Sequence, residues 1–248
     1  MLIIPTGKDL SVAADADEEE MLLKVSRAWL EKEKRSDGIH VSDLLDAKRA
    51  WFKRKFPLTL SDREVTTFLI GKILHAFLIS AADDVDGVDW ATDAGSKHNK
   101  ALNLEYSIDY VGKGKIPTEI KTSRSYYPPK GTKDLAMYIE QVLCYMVAEK
   151  KTQGKIWVLY LNLKDSQNRT CPEFRCYNLT VSKTALVDYE KQMKFVHTKL
   201  IAALKKSKPV GLDNCRQWLC GPRMCPYWDK CKPEGRYEYG VINTKWKN

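Results

Sequence analysis

The segment at residues 104–125, LEYSIDYVGKGKIPTEIKTSRS, places short apolar runs on both sides of a charged turn. The runs cover residues 106–111 and 116–120, and the sequence GKGK separates them. Short apolar runs joined by a glycine-containing turn are typical of a β-hairpin. Because side chains alternate along a strand, we expect Glu119 and Lys121 on one face and Ile120 on the opposite face, in the core.

Apolar residues recur at helical spacing in five further segments, at residues 11–35, 42–51, 61–83, 133–150 and 185–206. Two runs rich in β-branched and aromatic residues, 155–163 and 174–181, are typical of strands. Ser42 and Ser61 are expected helix N-caps, and His40 is expected at the surface. Trp29 is expected in the core, and the polar residues 84–100 are expected to form a loop. This order predicts an α/β fold with a mixed central sheet flanked by helices.

The composition favours a polyanionic partner. The chain has 248 residues, a formal net charge of +9 and a pI near 9.1. A generally basic surface without a binding role is the alternative. No apolar run reaches the length of about 18 residues that spans a membrane, and the start MLIIPTGKDL lacks the pattern of a signal peptide. We therefore expect a cytoplasmic protein without a membrane partner, in which the seven cysteines stay reduced and metal or cluster ligation is the leading explanation for their number.

The predicted hairpin also carries candidate chemistry. Asp109 lies on the strand that faces Glu119 and Lys121. Two carboxylates at a strand pair suit Mg²⁺ or Mn²⁺, which take oxygen ligands. A lysine beside them orients an attacking water or stabilises the charge on a phosphorane. The alternative is a solvated charge pattern, but a carboxylate inside an apolar run is costly to bury without a partner or a metal.

The segment after the hairpin, SRSYYPPKGTKD, mixes basic, aromatic and proline residues. Arg124, Tyr126, Tyr127 and Lys130 suit stacking on bases and pairing with the phosphates of a single strand. A mobile loop is an equally good interpretation of the same composition.

Four short motifs in order resemble those of RecB-type nucleases in the PD-(D/E)XK superfamily. They are His75 in GKILHAFL, Asp109 in YSIDYV, Glu119-Ile120-Lys121 in PTEIKTS, and Gln141 to Tyr145 in QVLCY. The resemblance covers residues 65–150 and implies a restriction-endonuclease-like core. A histidine on an apolar helix is otherwise most often a core residue, so the role of His75 depends on this resemblance.

The resemblance implies roles for seven of these residues. The implied metal ligands are His75, Asp109, Glu119 and the Ile120 carbonyl. The implied catalytic set consists of Asp109 and Glu119 together with Lys121, Gln141 and Tyr145. In that set Lys121 positions the water or the scissile phosphate, and Gln141 and Tyr145 orient the substrate or the metal ligands. The metal is expected to be Mn²⁺ or Mg²⁺, and an imidazole ligand favours Mn²⁺.

The C-terminal segment CRQWLCGPRMCPYWDKC holds a compact set of four cysteines, namely Cys215, Cys220, Cys225 and Cys231. Thiolates select Zn²⁺ or an iron–sulfur cluster, and the spacing does not separate the two. The end of this segment resembles that of iron–sulfur RecB-like nucleases, which implies a 4Fe–4S cluster. Those relatives take one ligand from an N-terminal helix, in a Cys-Pro-Arg setting. This chain has Ala47-Lys48-Arg49 there. We expect Cys215 to replace the missing ligand; the alternatives are an altered cluster or zinc in its place.

The predicted regions are an N-terminal helical region at residues 1–60, a RecB-like nuclease core at 61–206 and a C-terminal cysteine-rich lobe at 207–248. The three cysteines outside that lobe, Cys144, Cys171 and Cys176, are expected to be buried or half-buried thiols.

The resemblance implies a metal-dependent DNA exonuclease, with endonuclease action left open. It extends to the CRISPR-associated adaptation exonucleases and their viral homologues, which implies a role in CRISPR spacer acquisition or in viral or recombinational DNA processing. The sequence has no base-reading motif and no Walker A motif, so we expect single-stranded DNA ends or flaps as substrate and a separate integrase or helicase as partner. Oligomerisation occurs among relatives, but nothing in the sequence predicts it. The alternative is a catalytically silent DNA- or integrase-binding module on the same fold.

Overall fold

The computed structural model describes residues 16–32, 36–83, 96–112, 114–213, 215 and 225–231. In chain order its elements are α1 (Ala16–Lys32), α2 (Val41–Leu45), α3 (Ala47–Lys55), α4 (Asp62–Asp83), β1 (Ser96–Asn99), β2 (Leu104–Ser107), β3 (Tyr110–Gly112), β4 (Ile116–Ser123), α5 (Ala136–Ala148), β5 (Gln153–Lys164), β6 (Thr170–Thr180), α6 (Lys183–Leu204) and α7 (Trp228–Cys231). A 3₁₀ turn at Thr132–Leu135 precedes α5. The chain divides into two compact units, Met1–Ser36 with Thr59–Ile73, and Asp37–Leu58 with Leu74–Asn248.

The first unit contains α1 and the N-terminal half of α4. Ser61 caps α4, because its hydroxyl accepts a hydrogen bond from the backbone N–H of Glu64 at 3.3 Å. The Glu64 carboxylate accepts in return from the backbone N–H of Ser61 at 2.9 Å, which completes a capping box. This confirms the predicted cap. The predicted core position of Trp29 is wrong, because its side chain on α1 is 40% exposed. A single amphipathic helix buries its apolar face only where a neighbour covers it, and local spacing does not reveal that neighbour.

The second unit is organised around a four-stranded sheet in the order β3-β4-β5-β6. Its β3–β4 and β5–β6 pairs are antiparallel, whereas β4 and β5 are parallel. Parallel neighbours need a crossover connection, and α5 lies in the segment between them. This architecture confirms the predicted α/β class with a mixed central sheet flanked by helices, and it is consistent with a restriction-endonuclease-like core.

Strands β1 and β2 form a separate antiparallel pair in which Ser96 faces Ser107. The loop predicted at residues 84–100 is therefore wrong for Ser96–Asn99, because hydrogen bonds to β2 hold that polar stretch in a strand. Residues 84–95 lie outside the described part of the chain.

Helix α5 packs against β5 through Ile139, Val142 and Met146, which share one apolar cluster with residues of that strand. Gly154 at the start of β5 allows this close approach. A Cβ atom at that position would overlap the side chains of Val142 and Met146. The neighbouring residues Cys144 and Tyr145 belong to a second cluster, built with α3 and α6. Two apolar clusters therefore fix the orientation of α5.

The single helix predicted at residues 42–51 is interrupted in the structure. Helices α2 and α3 meet at Asp46, and His40 rather than Ser42 is the N-cap of α2. The backbone N–H of His40 donates to the Asp43 carboxylate at 3.0 Å. The predicted surface position of His40 is also wrong, because its side chain is buried and its Nε2 lies 3.6 Å from the Glu105 carboxylate on β2. That partner is distant in sequence, so the local pattern cannot show it.

Cys144 is buried, as expected, whereas Cys171 and Cys176 are exposed on β6. The expectation of burial fails for these two because β6 is an edge strand of the sheet and most of its side chains face solvent.

Across the described segments, the helices are all too short or too polar to span a membrane. Of the predicted cysteine-rich lobe, the structure describes residues 207–213, 215 and 225–231. The predicted region boundaries remain a prediction.

Candidate active site

The β3–β4 hairpin brings Asp109 against the middle of β4. Asp109 lies one residue before β3, rather than within the predicted strand. Its Oδ2 accepts a hydrogen bond from the backbone N–H of Ile120 at 2.8 Å. The strand register pairs Tyr110 with Thr118, and Asp109 directly precedes Tyr110. The hydrogen bond from β4 therefore fixes the position of the Asp109 carboxylate.

Glu119 and Lys121 lie on one face of β4, as strand alternation predicts. The Lys121 ammonium donates a hydrogen bond to Oε1 of Glu119. Glu119 is fully buried, and Lys121 is 27% exposed. Ile120 between them is buried in the core. The strand thus presents a carboxylate and an ammonium group side by side at the edge of the apolar interior.

Burial raises the pKa of Glu119 to about 7, and the attraction of Lys121 offsets only part of that effect. Repulsion from Asp109 raises the pKa of Glu119 further. The pKa of Lys121 is also raised: burial lowers it, but the attraction of the Glu119 and Asp109 carboxylates is stronger in sum. Lys121 therefore stays a cation at neutral pH, and Glu119 exchanges a proton close to neutrality.

The second carboxylate oxygen of Glu119, Oε2, is buried and has no hydrogen-bond partner among the described residues. The Tyr145 hydroxyl lies near enough to lower the pKa of this carboxyl, but it does not meet the geometry of a hydrogen bond to Oε2. A buried oxygen without a donor is costly unless a cation supplies the missing interaction. The site therefore offers a carboxylate oxygen suited to a metal ion.

His75 reaches the same place from α4. Its Nε2 lies 3.1 Å from the carbonyl oxygen of Ile120, and its Nδ1 lies 3.6 Å from Oδ1 of Asp109. A carbonyl oxygen only accepts hydrogen bonds, so this contact needs a proton on Nε2. The structure thus brings the predicted ligands His75, Asp109 and the Ile120 carbonyl into direct contact, beside Glu119.

These donors match the preference of Mg²⁺ and Mn²⁺ for oxygen ligands, with one imidazole added. Within the described residues, however, no three His, Cys, Asp or Glu side chains form a ready-made metal cage. His75 Nε2 contacts the Ile120 carbonyl, and Lys121 bonds Oε1 of Glu119. The residue types fit a divalent cation, and Oε2 of Glu119 is the carboxylate oxygen left for it.

Helix α5 adds a face of polar residues to the site. Nε2 of Gln141 donates to the Tyr145 hydroxyl at 2.7 Å. Burial raises the pKa of Tyr145 well above its ordinary value, and the Glu119 and Asp109 charges add to the effect. Tyr145 is therefore a neutral phenol that faces the carboxylates. The predicted residues of all four motifs come together in the second unit.

Tyr138 is a site residue that the sequence analysis missed. It precedes Gln141 by three positions and Tyr145 by seven, so the three side chains share one face of α5. Burial raises the pKa of Tyr138, and its hydroxyl interacts electrostatically with Lys121 and Glu119. The helical spacing to Gln141 and Tyr145 was the signal that would have revealed it.

Three of the four predicted cysteine ligands gather in one place. Cys215, Cys225 and Cys231 line a cavity of about 10 Å³, together with aromatic residues and Arg49 of α3. Cys220 lies outside the described residues. Thiolates suit Zn²⁺ or an iron–sulfur cluster, so the donor types fit either group. Among the described residues, these three thiols are not arranged closely enough to form a metal site.

No protein-family model matches the chain, and no curated protein matches it. Among solved structures, the crystal structure of SSO0001 has a TM-score of 0.53 and 18% identity, over 85% of this chain and 97% of that one. A phage-related exonuclease from Haemophilus somnus 129PT has a TM-score of 0.46 and 13% identity, over 66% and 82% of the two chains. LHK-Exo, an alkaline exonuclease from Laribacter hongkongensis crystallised with dAMP, has a TM-score of 0.42 and 13% identity, over 68% and 90%. The likeness to SSO0001 is a likeness of fold, and the other two TM-scores are too low to support an inference.

Proposed function

We propose that this protein is a Mg²⁺- or Mn²⁺-dependent DNA nuclease that hydrolyses phosphodiester bonds at single-stranded ends or flaps. The observation that carries the proposal is the meeting of His75, Asp109, Glu119 and Lys121 at the backbone of Ile120. Burying the Glu119 carboxylate beside a second, half-buried carboxylate is costly in a purely structural role. The carboxylates and the imidazole are suitable ligands for a divalent cation, and the lysine is suitable for binding a phosphate.

The metal ligands in this proposal are Asp109, Glu119, His75 and the carbonyl of Ile120. When bound there, a divalent cation supplies positive charge that lowers the pKa of a water and offsets the charge of the phosphorane. Glu119 provides the Oε2 atom for which the described residues offer no hydrogen bond. Its pKa near 7 means that loading releases a proton from this carboxyl at mildly acidic pH.

Lys121 acts in this proposal as a hydrogen-bond donor and not as a base, because its raised pKa keeps it protonated. Lys121 bonds Oε1 of Glu119 and leaves Oε2 for a cation, and its ammonium would hold the attacking water or a non-bridging phosphate oxygen. The attacking water gives a proton to solvent as its oxygen forms a bond to phosphorus and the bond from phosphorus to O3′ breaks. The leaving oxygen takes a proton from solvent, which gives a 3′-hydroxyl and a 5′-phosphate.

Gln141 and Tyr145 act in this proposal as positioning residues. The amide of Gln141 fixes the Tyr145 hydroxyl, and that neutral phenol borders the Glu119 carboxylate. Side chains that hold metal ligands in place typically change metal affinity or activity by about 10- to 100-fold when they are removed. The two residues therefore orient the metal ligands or the substrate without carrying charge.

We propose further that Cys215, Cys220, Cys225 and Cys231 bind Zn²⁺ or a 4Fe–4S cluster with a structural role. The support is the gathering of three of them in one cavity with Phe52 of α3 and Tyr227, whose rings stack at 5.7 Å between centroids. Because all four ligands come from the C-terminal segment, a metal would fix the fold of that segment, and the stack of Tyr227 on Phe52 holds it against α3.

The proposed setting is the processing of DNA ends, in CRISPR spacer acquisition or in viral or recombinational DNA metabolism. The sequence has no Walker A motif, so strand separation falls to a helicase partner and strand joining to an integrase. The second candidate function is a catalytically silent DNA- or integrase-binding module. It is favoured by the contact between Lys121 and Glu119, which offsets the Glu119 charge without metal.

The test is cleavage of 5′-labelled linear single-stranded DNA, circular single-stranded DNA and blunt duplex by the full chain, with Mn²⁺, with Mg²⁺ or with no added divalent cation. We expect metal-dependent loss of the linear single strand, with little loss of blunt duplex. Cutting of the circle identifies endonuclease action. Binding of DNA without cleavage in either metal would reject the nuclease and leave the binding module.

A further inference from the structure

A groove of about 640 Å³ begins where β4 leaves the catalytic residues. Ser123, two positions after Lys121, stands at one end of it. The other walls come from Ser125, from residues 127–130 and 133–135, from Tyr138 on α5 and from Tyr160 on β5. A volume of this size is in the range of sites that hold small organic ligands, roughly 300–1,000 Å³. It suits one or a few unpaired nucleotides.

The wall formed by residues 124–130 is held by hydrogen bonds, which favours a built surface over a mobile loop. The carbonyl of Tyr126 accepts from the backbone N–H of Lys164 at 3.0 Å. The Ser125 hydroxyl donates to the carbonyl of Tyr127 at 2.7 Å. The backbone N–H of Lys130 donates to the Asp134 carboxylate at 2.7 Å. Three separate anchors therefore shape this segment before any ligand arrives.

The lining of the groove matches the two parts of a nucleotide. Tyr127 is 67% exposed and leaves its ring open to a partner, beside Pro128 and Pro129. Lys130 and Lys133 line the same groove, against one acid, Asp134. Aromatic rings stack on bases of any sequence, and lysines pair with phosphates.

Tyr138 connects the groove to the catalytic residues. Its ring lines the groove, and its hydroxyl interacts electrostatically with Lys121 and Glu119. Ser123, two positions after Lys121 on the same strand, lines the groove as well. Ser123 and Tyr138 therefore place one end of the groove beside the catalytic residues.

We infer that this groove holds the unpaired nucleotides next to the scissile phosphate, with a base stacked on Tyr127 and the backbone phosphates paired with Lys130 and Lys133. The inference rests on the proposed function, because it takes the phosphate at Lys121 as its starting point. Under this inference, the groove gives the protein its preference for single-stranded over double-stranded DNA. In a duplex the faces of the bases are covered by their neighbours, so Tyr127 has nothing to stack on.

The first test compares Tyr127→Ala with Tyr126→Ala in the full chain, without added divalent cation so that no cleavage occurs. Tyr126 is the matched control, because it is the same residue type, is 54% exposed and does not line the groove. Fluorescence polarisation measures the Kd for an oligo-dT strand and for a duplex of equal phosphate number. We expect Tyr127→Ala to weaken oligo-dT binding by about 5- to 100-fold and to leave duplex binding within about twofold.

Tyr127→Phe keeps the ring and is expected to retain the affinity for oligo-dT, which separates stacking from misfolding. The inference is overturned if Tyr127→Ala and Tyr126→Ala bind oligo-dT equally, or if Tyr127→Ala weakens single strand and duplex to the same extent.

The second test measures the salt dependence of oligo-dT binding in the double variant Lys130→Ala with Lys133→Ala. Each lost phosphate contact on a single strand reduces the slope of log K against log salt by about 0.7, so we expect a slope smaller by about 1.4. Lys183→Ala, an exposed lysine at the start of α6, is the control and leaves the slope unchanged. An unchanged slope in the double variant would remove the lysines from the inference.

These outcomes separate the inference from the proposed function. Cleavage by the wild type with no effect of Tyr127→Ala on oligo-dT binding rejects the groove and keeps the nuclease. Groove-dependent binding of oligo-dT by a protein that cleaves nothing in Mn²⁺ or Mg²⁺ rejects the nuclease and keeps the groove as a strand-binding site.

Discussion

The Asp109 carboxylate accepts a hydrogen bond from the backbone N–H of Ile120 at 2.8 Å, and the carbonyl of the same residue lies 3.1 Å from Nε2 of His75. The N–H group of Ile120 therefore holds the acid Asp109 of the hairpin, and its carbonyl group holds His75 of α4. Because the Ile120 side chain is buried, this backbone is fixed by the core. The candidate site is thus assembled on a rigid strand.

Replacing Lys121 separates metal binding from chemistry. Lys121→Met removes the ammonium that competes with a cation for Glu119, so we expect Mn²⁺ to bind more tightly in calorimetric titration. The same change removes the donor to water or phosphate, so single-turnover cleavage should fall by at least about 100-fold. Lys97→Met is the control, since Lys97 pairs with Glu149 at 2.6 Å outside this group. Weaker Mn²⁺ binding in Lys121→Met would contradict the assigned role.

The raised pKa of Glu119 predicts a pH-dependent stability in the protein without added divalent cation. The folded state holds the Glu119 proton up to about pH 7, whereas the ordinary value is 4.5. This contribution is fully present below about pH 4.5 and is lost as pH rises through 7. We expect the free energy of unfolding, measured against Glu119→Gln, to fall by on the order of 3 kcal/mol between these limits.

Urea denaturation at several pH values measures this difference. Glu173→Gln on β6, where the acid is largely exposed, is the control and should show no such trend. The prediction is wrong if the free energy of unfolding of the wild type, relative to Glu119→Gln, rises with pH. Such a rise would mean that the folded state favours the charged carboxylate.

Strand alternation and motif order predicted much of the site. The pattern around the GKGK turn predicted the hairpin and the common face of Glu119 and Lys121, because both follow from local geometry. Helical spacing likewise placed Gln141 and Tyr145 together on α5. In each case the determining interaction lies within one hairpin or one helix.

Contacts between distant segments do not follow from the local pattern of residues. The resemblance to a known family named His75 and the Ile120 carbonyl together, but hydrophobic spacing alone does not pair two residues 45 positions apart. The burial of His40 depends in the same way on Glu105 of β2. The internal bonds that occupy His75 and Glu119 before metal binding were equally hidden, because they depend on tertiary geometry.

Gly154 is expected to be a stability determinant of α5. In Gly154→Ala the new methyl group meets Val142 and Met146, so we expect a loss of about 1–3 kcal/mol in the free energy of unfolding by urea. Gly71→Ala on α4 is the control, because a Cβ there has no atom within 4 Å. Alanine is the better helix former, so that change should stabilise by up to about 1 kcal/mol. Equal effects of the two changes would contradict the close packing of α5 on β5.

The cysteine site predicts a selective loss of metal. Cys225→Ser should lower the metal content of the purified chain, measured as iron and zinc by elemental analysis, because it removes one of the gathered thiols. Cys176→Ser should retain the wild-type content, because Cys176 is exposed on β6. The iron-to-zinc ratio of the wild type identifies the bound group. Equal metal content in the two variants would reject the proposed cysteine ligands.

The central claim is that the Glu119 carboxylate holds the catalytic metal. The most direct measurement is the single-turnover rate of single-stranded DNA cleavage across a Mn²⁺ titration, for wild type, Glu119→Gln and the surface control Glu173→Gln. Glutamine keeps the size of the side chain and removes the charge that a metal needs. We predict Mn²⁺-dependent cleavage in the wild type and in Glu173→Gln, with a loss of at least about 100-fold in Glu119→Gln. Equal rates in wild type and Glu119→Gln at every Mn²⁺ concentration would contradict the account.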